Sequence, residues 1–122
     1  MIDEAEIVHP GKYAVGYMRI NGDEWCLRGH YPGNPVVPGV LIVEAIAQLG
    51  SVALLSMEEF TGRTPLFGGI DRARFRRPCV PGDKIKLEMN ILNIRGNMGK
   101  GAGKATVDGE RCCECNLFFY IK

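Results

Sequence analysis

The chain has 122 residues, the size of one ordinary domain, and we expect a single domain over residues 1–122. Its composition, 46% hydrophobic and 24% charged, is typical of globular proteins and excludes a disordered chain. The formal net charge of +1 gives no argument for a nucleic-acid partner. The acidic start, MIDEAEIV, lacks the apolar core of a signal peptide.

The cysteines indicate the compartment. There are five of them: Cys26, Cys79, Cys112, Cys113 and Cys115. An odd count without an export signal favours free thiols in a reducing cytoplasm. The CCEC run also permits a metal site, but on a strand Cys112 points away from Cys113 and Cys115, and no second pair of ligands stands at zinc spacing. We therefore interpret these cysteines as small buried apolar residues.

The first part of the chain predicts short strands. Residues 4–8 are a weak strand candidate, and residues 13–20 place Tyr13, Val15 and Tyr17 on one face. Asn21-Gly22 is a strong two-residue hairpin signal, after which residues 24–27 return as a strand.

A long apolar segment then predicts the only helix, over residues 40–57. Pro38 fits its first turn, and Glu44 and Gln48 stand one turn apart near its start. These two polar residues and the Pro-Gly entry favour a buried helix over a membrane span. A helix this apolar also needs a second subunit to cover what a sheet leaves open.

The rest of the chain predicts antiparallel strands at residues 65–75, 84–95, 100–107 and 111–121. Asp108-Gly109 is a hairpin signal, and Gly101 and Gly103 weaken the third of these strands. Strands on both sides of one long helix define an α+β domain, in which about six strands wrap around the helix.

His30 and Glu44 are the candidate catalytic pair. His30 lies in a loop stiffened by prolines, and histidine exchanges protons near neutral pH. We expect Glu44 to be buried among the apolar residues of the helix, where a carboxylic acid stays partly protonated and can donate a proton. Gln48, at i+4, is placed to orient Glu44 by a hydrogen bond.

Gly39 and Val40 are the candidate binding groups for a substrate oxygen. Gly39 opens the helix, so its backbone N–H, and that of Val40, have no partner within the helix. The positive end of the helix dipole favours a carbonyl oxygen that gains negative charge there. The missing β-carbon of Gly39 lets a substrate come close.

Each of these residues also has a structural interpretation. A lone histidine in a Pro-Gly loop is more often solvated than catalytic. Gly39 can simply serve the turn, and Gln48 can satisfy a buried backbone group. Arg72, Arg74 and Arg76 form a candidate basic patch, but a charged strand face is usually only solvated. The functional interpretation is favoured because several candidates occur together on one rigid loop and helix: His30, Gly39, Glu44 and Gln48.

Three stretches of the sequence resemble the 3-hydroxyacyl-acyl carrier protein dehydratases of FabZ type. The first is GHYPGNPVVPGVLIVEAIAQ, in which a histidine is followed by Pro-Gly, Pro, Pro-Gly and, fourteen positions on, a glutamate. The others are FGGIDRARFRRPCVPGDKI and ATVDGERCCECNLFFYI. The resemblance covers most of the chain from about Tyr13 onward.

The resemblance implies a hotdog fold, with His30 as base, Glu44 as acid and Gly39 as the thioester-carbonyl donor. It implies a homodimer or a trimer of dimers, a homohexamer, in which each site takes side chains from two subunits. The family usually has a longer first segment than MIDEAEIV, so we expect changes in helix cover, oligomer geometry and acyl-chain preference. Glutamate at position 44, not aspartate, is more like FabZ than FabA.

The activity implied is dehydration of 3-hydroxyacyl-acyl carrier protein to the trans-2-enoyl thioester in type II fatty acid biosynthesis. The resemblance implies no metal or organic cofactor, no nucleic acid and no membrane. The partner is an acyl carrier protein with its phosphopantetheine arm, steered by Arg72, Arg74 and Arg76. Two alternatives stay open: a hotdog acyl thioesterase, and a non-catalytic protein that binds acyl carriers.

Overall fold

The computed structural model describes residues 2–19, 39–60, 62–80 and 82–122. The elements in chain order are β1 (Glu4–His9), β2 (Tyr13–Arg19), α1 (Gly39–Leu55), a 3₁₀ turn (Glu58–Phe60), β3 (Pro65–Phe75), β4 (Lys84–Arg95), β5 (Met98–Val107) and β6 (Glu110–Ile121). Within the described residues the predicted boundaries agree to within two residues. The predicted turn at Asn21-Gly22 and the strand at 24–27 lie outside the described residues, as does residue 20.

The described strands form one antiparallel sheet with the order β1-β2-β4-β5-β6-β3. The hairpin between β5 and β6 turns at Asp108 and Gly109, both with positive φ (50° and 82°), as a tight two-residue turn of this hand requires. Helix α1 contacts all six strands, so the sheet wraps around it. This confirms the expected α+β architecture of the hotdog fold.

The core lies between α1 and one face of the sheet. The predicted faces of β4 and β6 are buried there, including Leu87, Met89 and Phe119, each fully inaccessible. On β2, the side that meets the helix carries Ala14, Gly16 and Met18. The tyrosines of that strand therefore lie on the outer face.

The glycines of β5 allow the helix to approach the sheet. A β-carbon on Gly103 would collide with the side chain of Ile46 from α1. A β-carbon on Gly101 would lie 2.6 Å from the sulfur of Met89. These glycines weaken β5 as an isolated strand, but side chains of the core occupy the space that their own side chains would need.

The described strands leave one side of α1 uncovered. The exposed residues recur at helical spacing and form what we call the open stripe: Val40, Glu44, Gln48, Val52 and Leu55.

Within the described residues, no helix has both the length and the hydropathy to cross a membrane.

The edge strand β3 is uncovered as well. Its exposed apolar side chains are Leu66, Phe67, Ile70 and Phe75, each between 46% and 57% accessible. The other edge, β1, is shorter and carries Glu4 and Glu6, which discourage pairing with another chain. The sheet therefore has one blunted edge and one that is open to association.

Candidate active site

The candidate site is built on the first turn of α1. Gly39 is the first residue of the helix, as predicted, and Val40 follows with 68% of its surface exposed. The first amide groups of a helix have no intrahelical acceptor, so they remain available to a ligand oxygen. Hydrogen-bond donors and the positive end of the helix dipole therefore coincide at this point.

Phe75, the last residue of β3, packs directly on this helix start. A β-carbon built on Gly39 would lie 2.7 Å from Cδ1 and 2.9 Å from Cζ of the Phe75 ring, closer than real β-carbons come. Glycine is therefore required at position 39 by the protein's own packing. Sequence reasoning attributed this requirement to the substrate and missed Phe75, although the RARF segment belongs to a stretch that resembles the family.

An apolar cavity of about 580 Å³ lies beside this contact. Its walls are the first turn of α1, the adjacent end of β3 and the segment that follows β3. The lining residues are Gly39, Val40, Ile42, Val43, Ile70, Ala73, Phe75, Arg77, Pro78 and Cys79. Its size and its mostly apolar walls suit a small acyl group.

Arg77 is the one charged residue among these lining residues, and two carboxylates compensate its charge. Its guanidinium lies 3.0 Å from Glu110 and 3.8 Å from Asp83. The side chain thus contributes its aliphatic part to the wall while its charge is held by two carboxylates. This leaves the cavity suited to an uncharged ligand group.

Glu44 lies on the open stripe and is exposed. The expectation that its own chain buries it is therefore wrong. The physical reason is that the sheet covers only one side of α1, and the carboxylate stands on the other. No hydrogen bond joins the Glu44 and Gln48 side chains within residues 39–60, so the predicted orientation by Gln48 is absent from the single chain. His30 lies outside the described residues.

The three candidate arginines do not behave alike. Arg72 and Arg74 are exposed on β3 and line a depression of about 340 Å³ on the outer face of the sheet, together with Lys104 and Arg111. Arg76 follows the last residue of β3, and its backbone N–H donates a hydrogen bond to the carbonyl oxygen of Cys112 on β6. Its Nη2 lies 2.6 Å from Oε1 of Glu114.

Glu114 is the only carboxylate among the residues that line this depression. The hydrogen bond from Arg76 lowers the pKa of Glu114, and the charge of Arg111 at 3.0 Å acts in the same direction. Arg72 and Arg74 have no carboxylate partner in the described part of the chain. The depression is therefore basic, and its unpaired charge belongs to Arg72 and Arg74.

The four described cysteines are buried free thiols, as expected of small apolar residues. Burial, with a hydrogen bond to Cys112, raises the pKa of Cys79 to about 12. Cys112 is as buried as Cys113 and Cys115, but it lies beside Cys79, whereas Cys113 lies beside Cys115. No group of three or more metal-binding side chains exists in the described ranges.

A family model for the FabA-like domain matches residues 1–116 of the chain. With one helix wrapped by an antiparallel sheet and a cavity at the helix start, this match defines a hotdog protein with a FabA-like domain. The fold also matches the dehydratase heterocomplex ApeI:P from Xenorhabdus doucetiae, with a TM-score of 0.77, 18% identity and coverage of 98% of this chain and 96% of that one. At this identity the likeness concerns the fold alone.

Curated relatives narrow the class. The chain is 50% identical over 121 residues to "3-hydroxyacyl-[acyl-carrier-protein] dehydratase FabZ" of Clostridium novyi, covering 99% of this chain and 85% of that protein. It is 51% identical to the FabZ of Moorella thermoacetica, with the same coverage. The chain belongs to the FabZ-type dehydratase family.

Proposed function

We propose that the protein dehydrates 3-hydroxyacyl-acyl carrier protein to the trans-2-enoyl thioester in type II fatty acid biosynthesis. The observation that carries the proposal is a helix that begins at Gly39 on the wall of an apolar cavity, in a chain about half identical to FabZ dehydratases. The cavity suits the acyl group, and the helix start provides amide donors for the thioester oxygen.

In the proposed mechanism, His30 takes the proton from C2, and the Gly39 amide stabilises the negative charge that develops on the carbonyl oxygen. Glu44 donates a proton to the departing hydroxyl group at C3. The C2–H and C3–O bonds break, the C2–C3 double bond forms, and water leaves. Because the elimination involves no net oxidation or reduction, these three groups need no cofactor.

We further propose that the active unit is a homodimer, or a trimer of such dimers. The open stripe on α1 and the apolar edge strand β3 are the surfaces that a second copy would cover. The exposure of Glu44 supports this arrangement, because a general acid works best away from bulk water and its own chain leaves it uncovered. Residues of a second subunit would complete the site.

Arg72 and Arg74 are the residues that we assign to the acyl carrier protein. Acyl carrier proteins are acidic, and these two side chains hold the uncompensated charge of the outer-face depression. The charge of Arg76 is already paired with Glu114, so we expect Arg76 to attract the acyl carrier protein less strongly than Arg72 and Arg74 do. Free thiols at four cysteines support a reducing cytoplasm as the location.

The proposed function is tested by incubating the protein with 3-hydroxyacyl-acyl carrier protein of several chain lengths and identifying the products by mass spectrometry. Dehydration predicts a conjugated enoyl thioester that is still attached to the carrier and is about 18 Da lighter than the substrate, because water is lost. A thioesterase would instead release the carrier as a free thiol. Binding of the loaded carrier without either product would identify a non-catalytic acyl-binding protein.

A further inference from the structure

We propose that Phe75 is a specificity-determining residue, whose ring excludes substituents at C2 of the thioester. This inference rests on the proposed function, because it concerns the same cavity. It names the feature of the substrate that the cavity wall discriminates. It also assigns a role to a side chain for which burial in the core gives no explanation, since Phe75 is 57% exposed.

The ring lies beside the helix start at which the thioester of a substrate would bind. If the thioester oxygen binds the Gly39 amide, the carbonyl carbon and C2 lie within two bonds of that oxygen. The Phe75 ring already touches Gly39 so closely that no β-carbon fits between them. A carbon branch at C2 directed towards β3 would therefore meet the ring.

The sheet on one side and the helix start on the other define where Phe75 lies. Phe75 pairs with Cys113 in the β3–β6 ladder, which holds its backbone in place. Ala73, the preceding inward residue of β3 on the cavity wall, is small and leaves the ring as the bulky group near the helix start. The charge of the neighbouring wall residue Arg77 is held by Glu110 and Asp83. The ring of Phe75 is consequently the bulky group on the cavity wall beside Gly39.

The rival interpretation is that Phe75 only packs against the helix or a second subunit. In that case its loss would lower the rates for all substrates by a similar factor. A change in the ratio between a branched and an unbranched substrate separates the two interpretations, because the ratio cancels any general loss of stability or assembly.

The test compares kcat/KM for 3-hydroxybutyryl and 2-methyl-3-hydroxybutyryl groups on the same acyl carrier protein. The variants are Phe75→Ala and Phe75→Leu. The matched control is Phe67→Ala, which removes the same side chain at similar exposure (51%) from the same strand but outside the cavity. Size-exclusion chromatography and thermal unfolding accompany each variant, and Phe75→Leu carries the test if the alanine variant does not fold.

We expect the ratio of branched to unbranched kcat/KM to rise about tenfold or more in Phe75→Ala, with a smaller rise in Phe75→Leu and none in Phe67→Ala. An unchanged ratio in both Phe75 variants, or an equal rise in Phe67→Ala, would overturn the assignment. Failure of the proposed function is distinguishable, because the unaltered protein would then form no enoyl product from the unbranched substrate.

Discussion

The ring of Phe75 lies directly against Gly39, the first residue of the central helix, and leaves no space for a β-carbon there. The contact joins the end of the edge strand β3 to the helix start that holds the amide donors. Both residues also line the apolar cavity. The site therefore depends on a packing relationship between two residues that are far apart in the sequence.

This contact predicts an energetic coupling between the two positions. Gly39→Ala should destabilise the protein by roughly 1–3 kcal/mol, because the new methyl group overlaps the ring. In the Phe75→Ala background the same change should be close to neutral, since the space is then vacant. Urea unfolding of the four proteins in a double-mutant cycle measures the coupling. Equal losses in both backgrounds would contradict it.

The open stripe predicts a subunit interface that a charge disrupts. Val52→Lys should shift the protein towards monomer, because a lysine at a covered apolar surface leaves a charge without a partner. Val8→Lys is the matched control, since Val8 has the same 41% exposure but lies on the blunted edge β1. Sedimentation velocity reads out both variants. Unchanged assembly of Val52→Lys would remove the stripe from the interface.

The outer-face depression predicts a salt-dependent contact. Reversal of Arg72 and Arg74 to glutamate should raise the KM for acyl carrier protein substrates at low salt, and the effect should shrink as salt is added. Turnover of an uncharged N-acetylcysteamine thioester should not change, because it has no carrier. The double reversal of Lys12 and Lys122 to glutamate, at exposed sites elsewhere, makes the same change in net charge and serves as the control. Normal carrier affinity at low salt would leave the patch as a solvated face.

Tyr13, on the outer face of the sheet, predicts a pH dependence of the protein's stability. Its hydroxyl donates a hydrogen bond to Glu88, which raises the pKa of Tyr13 to about 12. The unfolded chain loses this proton near pH 10, so the stabilisation is present below pH 10 and is lost as the pH rises towards 12. The stability of the native protein should therefore fall towards that of Tyr13→Phe across this window. Parallel pH curves for the two proteins would contradict the assignment.

The sequence was sufficient for much of the fold, because its signals are local. Alternation along β4 and β6, and the glycine of the Asp108-Gly109 turn, predicted strands and turn where the structure has them. The start of α1 at Gly39 was likewise readable from the preceding Pro-Gly pattern. These features depend on neighbouring residues and require no knowledge of distant contacts.

The misplaced features depend on long-range packing. Whether Glu44 is buried depends on which side of α1 the sheet covers, and helical periodicity is weak when nearly every residue is apolar. The charge of Arg76 is taken up by Glu114 on the neighbouring strand β6, a partner that no spacing in the sequence indicates. The role of Phe75 arises from contact with a distant helix start, which no spacing rule encodes.

A dehydratase site shared between two chains is tested most directly by mixing two inactive proteins. His30→Ala and Glu44→Ala should each lose at least about 10²-fold in turnover, because each lacks one proton-transfer group. After subunit exchange, about half of the dimers should be mixed, and each should hold one intact site. Recovery of roughly a quarter of native enoyl-forming activity is predicted. No recovery, with exchange shown by native mass spectrometry, would contradict a site that pairs His30 of one chain with Glu44 of another.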